Sequence, residues 1–206
     1  MHANLLNPLG PPLRLASRSP RRAELLRLVG AHFDVVPADV DETALPDERP
    51  DAHVLRLAEA KARSAAAGNG GPAGAVVVGA DTIVVLDRAL LGKPLDAADA
   101  RRMLALLSGR VHEVWTGLFV LDPATGRGVG EAVRSIVKFA RLDPEAIRRY
   151  VDGGEPLDKA GAYVVQGGGA LFVEAIEGSY ANVVGLPLSH LKHLLGLLAA
   201  AGKAGP

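Results

Sequence analysis

Residues 75–86 read Ala75-Val76-Val77-Val78-Gly79-Ala80-Asp81-Thr82-Ile83-Val84-Val85-Leu86. A nearly continuous apolar, β-branched run of this kind is a strand or strand pair buried on both faces, as in a sheet covered by helices. Asp81 interrupts the run with apolar neighbours on both sides. Burying an unpaired carboxylate is costly, and buried carboxylates are usually coordinated, paired or functional. Two readings follow: a structural aspartate ending the strand, or a general base.

Working outward, residues 13–16 form a short strand and 20–29 a helix, with Ser19 suited to its N-cap and Pro20 to its first position. Leu25, Leu28 and Val29 are expected to share the buried face of that helix. Residues 32–36 read as a strand, followed by a turn-rich stretch to Pro50 and a longer helix over 51–67. Beyond the glycine-rich loop at 68–74 and the central run come a helix at 97–107 and strands at 112–121 and 129–140, the latter two joined by Asp122-Pro123-Ala124-Thr125-Gly126. A short helix at 144–151, a strand at 170–176 and a closing helix at 187–201 complete the list. Strands alternate with helices early and follow one another later. The fold class is therefore α/β, with a mixed twisted sheet, flanking helices and two lobes expected around a cleft. Residues 13–201 are expected to form one domain, with tails at 1–12 and 202–206.

Composition narrows the function. The chain has 206 residues, 49% of them hydrophobic, too many for a disordered chain. No run of about 18 apolar residues suggests a membrane span, and residues 1–12 lack the pattern of a secretory signal. Cysteine is absent, which removes disulfides and thiolate chemistry and is compatible with a reducing cytosol. Lys plus Arg and Asp plus Glu both number 23, so no net positive charge is available to hold a nucleic acid. Positive charge is instead placed locally, which suits a small polyphosphate.

Further stretches carry chemistry. Ser17-Arg18-Ser19-Pro20-Arg21-Arg22 feeds a helix start and offers free backbone N–H groups, hydroxyls and guanidinium forks. It is either an anion site or an ordinary capped helix with solvated arginines. Lys61 lies seven residues after Val54, on the inward stripe of its helix with Leu57, Ala58 and Ala65, so its charge needs a phosphate or carboxylate unless it snorkels to the rim. Asp41 and Glu42 are either hard oxygen ligands for magnesium or an exposed acidic pair. Gly92-Lys93-Pro94 is a turn presenting an ammonium group. The segment 154–167, Gly-Glu-Pro-Leu-Asp-Lys-Ala-Gly-Ala-Tyr-Val-Val-Gln-Gly, has the polar and glycine content of a ligand-holding loop, within which Glu155, Asp158 and Lys159 offer a local ion pair. Gly126-x-Gly128-x-Gly130 opens no helix, no P-loop is present, and His190 with His193 lacks companion metal ligands.

With Leu57-Ala58-Glu59-Ala60-Lys61-Ala62, Leu107-Ser108-Gly109 through His112 to Thr116-Gly117, and Gly178-Ser179-Tyr180-Ala181-Asn182-Val183-Val184-Gly185-Leu186-Pro187, these stretches resemble the Maf family of nucleoside triphosphate pyrophosphatases over about residues 13–198. The resemblance implies a fold related to inosine triphosphate pyrophosphatase and cleavage between the α and β phosphates with a divalent cation, Mg2+, Mn2+ or Co2+. It implies Asp81 as proton acceptor, Arg21, Thr82 and Gln166 in substrate choice, Ser17, Arg21, Lys61 and Lys93 at the phosphates, and Glu42 with Asp81 at the metal. The pair of motifs Asp-Thr and Gln-Gly resembles the branch acting on dTTP and UTP. The residue chemistry agrees, because a Gln amide donates and accepts at once and so matches the acceptor–donor–acceptor edge of uracil and thymine. The expected partner is a nucleotide in the cytoplasm, with neither nucleic acid nor membrane, and a homodimer is an open option. The alternatives are a broad house-cleaning pyrophosphatase for modified nucleotides and a nucleotide-sensing regulator linked to cell division.

Overall fold

In the computed structural model, described over residues 4–7, 10–68 and 74–203, the central apolar run is one strand, β3 (Val76–Leu86), buried at every position except the half-buried Thr82. Before it come β1 (Leu13–Ala16), α1 (Pro20–Leu28), β2 (Phe33–Val35) and α2 (Pro50–Ala67). After it come β4 (Ala89–Leu91), α3 (Ala97–Leu107), β5 (Val111–Leu121), β6 (Gly128–Phe139), α4 (Pro144–Asp152), β7 (Val173–Glu177), α5 (Tyr180–Val184) and α6 (Leu188–Lys203). The strands make one seven-stranded sheet in the order β2-β1-β3-β5-β6-β7, with β4 paired to β3 off this path. β1 is parallel to β2 and β3, whereas β3 with β4 and β6 with β7 are antiparallel. The α/β class and the mixed sheet are as the sequence predicts.

The chain divides into two compact units. The first contains the residues up to Asp81, Thr116–Val133 and the residues from Gly185 onward; the second contains Thr82–Trp115 and Arg134–Val184. Each has its own apolar core. In the first, Ala58, Ala62 and Ala65 of α2 pack with Ala16, Val77, Phe119 and Leu121. In the second, Leu104 and Leu107 of α3 and Ile147 and Val151 of α4 pack with Val84, Val137, Phe139 and Phe172.

The approach of α2 to the sheet is set by two glycines. A Cβ on Gly79 of β3 would lie 2.0 Å from the Ala58 carbonyl oxygen, and one on Gly117 of β5 would lie 2.1 Å from that of Val54. Hydrogen at both positions lets the backbones come closer than any side chain would allow.

Several sequence expectations need correction. Leu28 is 68% exposed, and α1 instead buries Arg22, Ala23, Leu25 and Leu26. Four apolar residues in the helix leave its rotation ambiguous, and the inward tether of Arg22 decides it. Ser19 is the N-cap residue of α1 but makes no side-chain capping bond. The strand expected at 170–176 begins only at Val173, because 168–172 form a 3-10 turn. β4 and α5 were not anticipated. Most of the glycine-rich loop expected at 68–74 lies outside the described residues.

Candidate active site

Lys61 lies on the buried stripe of α2 with His53, Val54, Leu57, Ala58, Ala62 and Ala65, as its helical phase predicts. Its Nζ donates to Asp81 Oδ1 at 2.6 Å and to Glu42 Oε1 at 2.6 Å. Lys61 and Asp81 are each only 8% exposed, whereas the Glu42 side chain is 44% exposed, so the acidic group on the loop stands at the wet end of the trio. Short charge-assisted bonds of this kind are strong in a low-dielectric setting. Two carboxylates share one ammonium.

A second constellation in the same unit forms around Arg22. Its Nε donates to the Gly185 carbonyl at 2.8 Å, and its Nη1 donates to Ser17 Oγ at 2.9 Å and to the Ala80 carbonyl at 3.0 Å. Ser17 Oγ also accepts from Ser19 N at 3.2 Å. Burial pulls the Arg22 guanidinium below its ordinary range, and the nearby Asp81 carboxylate opposes that shift. Arg22 thus joins the start of α1, the residue before Asp81 and the turn before α6. Arg21, the neighbour to which the sequence pointed, is half-buried on the same helix.

The loop that carries Glu42 is built by local bonds. Asp41 Oδ1 accepts from Thr43 N at 2.9 Å, and these contacts with Thr43 hold the Asp41 carboxyl below its ordinary range. The Glu48 side chain, only 7% exposed, accepts from Arg56 Nε at 2.6 Å, Arg56 Nη2 at 2.8 Å and Leu45 N at 3.1 Å. His53 Nδ1 lies 2.8 Å from the same carboxylate. The Arg56 fork is the main cause of a large downward shift in the Glu48 pKa.

The other expected residues belong to the second unit. Thr82 follows Asp81 in β3 and is half-buried, and Lys93 is exposed in the turn after β4. That turn is tied to the 154–167 segment by Gly161 N, which donates to the Gly92 carbonyl at 3.0 Å. Gln166 is exposed. Its turn is shaped by Glu155, which accepts from Tyr150 Oη at 2.9 Å and Gly168 N at 3.2 Å, while Val164 N donates to Tyr150 Oη at 3.0 Å. The expected local ion pair is Asp158 with Lys159. Glu155 therefore acts on the loop rather than in an ion pair.

A family model described as "Maf-like protein" matches residues 12–198. The chain belongs to the Maf family. Among curated Maf relatives, the "dTTP/UTP pyrophosphatase" of Geobacter sp. (strain M21) is 54% identical over 188 residues, covering 91% of this chain and 96% of that protein. Proteins of the same name from Anaeromyxobacter dehalogenans (strain 2CP-C) and Moorella thermoacetica (strain ATCC 39073 / JCM 9320) are each 52% identical, covering 91% and 90% of this chain and 94% of their own lengths. In this Maf chain the structure brings together Lys61, Asp81 and Glu42, three residues to which the sequence pointed, and adds the inward Arg22 and the Glu48, His53 and Arg56 group, to which it did not. Arg21 and Arg22 are identical residue types one position apart, so only the helix rotation distinguishes them. The spacing of His53 and Arg56 on one helical face was the available signal for the second group.

Proposed function

We propose that this Maf chain hydrolyses dTTP and UTP to the nucleoside monophosphate and pyrophosphate in the cytoplasm. The observation that carries the reading is the buried Lys61 ammonium held between Glu42 and Asp81, in a chain about half identical to proteins named for that reaction. Asp81 accepts the proton of a water that attacks the α-phosphorus in line. An oxygen–phosphorus bond forms as the bridge to the β-phosphate breaks, and pyrophosphate leaves. Lys61 holds the Asp81 carboxylate in position, Arg21, Lys61 and Lys93 offset charge on the phosphates, and the Ser17 hydroxyl helps to bind them. Thr82, Arg21 and Gln166 select the base, with the Gln166 amide donating and accepting on the pyrimidine edge.

The acidic residues fit a divalent cation that is shared with the substrate. Among the described residues no group of three or more His, Cys, Asp or Glu side chains is arranged to hold a metal alone. Glu42 and Asp81 bring two carboxylates to one point, and Mg2+ is commonly held by one or two carboxylates together with substrate phosphates and water. These two residues would hold Mg2+, Mn2+ or Co2+, which when bound neutralises phosphate charge. No helix of the described residues is long and apolar enough to cross a membrane.

The test is pyrophosphate release from dTTP, UTP, GTP, 7-methyl-GTP and modified pyrimidine nucleotides with each cation. Preferential turnover of dTTP and UTP is expected. Asp81→Asn should remain folded and lose on the order of 10²- to 10⁴-fold in rate, the scale of a lost general base. Saturable nucleotide binding without release would point instead to a sensor.

A further inference from the structure

We propose that Glu48 and Arg56 are positioning residues that set Glu42 for the divalent cation. The inference deepens the proposed function and rests on its assignment of Glu42 to that cation. Glu42 sits on irregular backbone between β2 and α2, where no sheet or helix ladder fixes its direction. Two attachments to α2 do so. At one end Lys61 takes the Glu42 carboxylate itself. At the other, the Arg56 fork closes on both oxygens of Glu48, and Arg56 Nη2 also donates to the Thr43 carbonyl at 3.1 Å, one residue from Glu42. Glu48 in turn receives Leu45 N, so its carboxylate gathers the loop on both sides onto the helix. Arg56 and Lys61 are on the same rigid helix, which makes the distance between the two attachments a fixed property of α2. Among the described residues neither Glu48 nor Arg56 is hydrogen-bonded to Lys61 or Asp81, so their hydrogen-bonded route to Glu42 runs through the loop, beside a through-space attraction between the Arg56 guanidinium and Asp81.

A planar guanidinium is needed because a single ammonium cannot serve two carboxylate oxygens and a carbonyl in this arrangement. Groups behind a metal ligand commonly govern affinity by 10- to 100-fold, without touching the metal. The competing explanation is that the cluster contributes only to stability.

The experiment compares wild type, Glu48→Gln, Arg56→Lys, Glu42→Gln and the double variant Glu42→Gln/Glu48→Gln. Each is assayed for dTTP hydrolysis over a range of Mg2+. Mn2+ binding in the presence of α,β-methylene-dTTP is measured by electron paramagnetic resonance, and amide exchange is followed across residues 41–49. Glu48→Gln and Arg56→Lys should raise half-saturating Mg2+ by about tenfold or more, leave kcat at saturating Mg2+ nearly unchanged, weaken Mn2+ binding in parallel and speed exchange within 41–49. In the Glu42→Gln background Glu48→Gln should add nothing to the metal effect. Unchanged metal dependence with a lower melting temperature overturns the proposal, as does full additivity in the double variant. If Glu48→Gln does not fold, Arg56→Lys decides the matter, and failure of both to fold assigns the cluster to stability. A wild type that binds Mn2+ but releases no pyrophosphate refutes the parent reading alone, and Mn2+ binding by the variants then judges the positioning role.

Discussion

Removing the ammonium of Lys61 leaves the Asp81 carboxylate buried beside its lost partner, which is the expensive way to break a buried pair. Lys61→Met should therefore lower both activity and stability, by about 3 kcal/mol on the scale of such losses. Adding Asp81→Asn to the same chain should restore part of the stability but none of the activity, as read from urea midpoints and pyrophosphate release. Equal stability of Lys61→Met and wild type would mean that the pair contributes nothing to the fold. If the Gln166 amide reads the pyrimidine edge as proposed, replacement by Glu sets an acceptor-only group against a pyrimidine acceptor. The barrier for dTTP and UTP should rise by roughly 1 to 3 kcal/mol in kcat/KM, with guanine nucleotides affected less. An equal fall for all nucleotides would assign Gln166 to the loop instead of the base. At this scale the sequence was informative where a charge broke an apolar pattern, as at Lys61 and Asp81. It was blind to Glu48, whose partners come from loop backbone and from a helix that one-dimensional spacing does not bring to it.

The seating of α2 on the sheet is the element-level feature most exposed to test. Gly79→Ala puts a methyl group into the Ala58 carbonyl, backbone that cannot rotate aside, and should destabilise the protein by about 3 kcal/mol or more. Because α2 also carries Lys61, the same change should reduce dTTP turnover under conditions where the protein remains folded. A denaturation midpoint equal to wild type would show that helix and sheet can separate freely. The long elements were legible because each had a sustained period: the apolar run of β3, the inward stripe of α2 and the boundaries of α3. β4 was not. Its hairpin turns at Asp87 and Arg88, both with positive φ, at 49° and 70°, without the Asn-Gly or Asp-Gly signature that normally announces such a turn. α5 spans five residues, too few for a helical period to show.

For the whole molecule, acid sensitivity follows from groups in both units. His112 is buried, with Nε2 3.0 Å from Tyr163 Oη, Nδ1 without a hydrogen-bond partner, and its ring edge-on to Phe139 and Tyr163. Burial lowers its pKa from 6.5 to about 4. Between those values the unfolded chain takes up a proton that the folded chain refuses. Stability should consequently fall as pH drops through that window, by about 3 kcal/mol when complete, and His112 should contribute no further change below it. Glu48, whose pKa is depressed by Arg56, adds a loss that starts near the ordinary glutamate range of 4.5 and continues below it. Urea unfolding from about pH 7.5 to about pH 4 should show this slope, and His112→Phe should flatten its upper part even if the variant is less stable throughout. An unchanged slope would remove His112 as the cause.

The path of the chain through the two units also constrains how such a protein changes by recombination. It passes from one unit to the other at residues 81/82, 115/116, 133/134 and 184/185, and the first three passages fall inside β3, β5 and β6. Neither unit is encoded by one uninterrupted stretch of gene. A single genetic crossover between two relatives therefore always leaves the first unit a mosaic, and Arg21, Thr82 and Gln166, the residues proposed to select the base, cannot be inherited together through one crossover apart from Lys61 and Asp81. Altered nucleotide preference is accordingly reached more readily by point substitution than by exchange of a module.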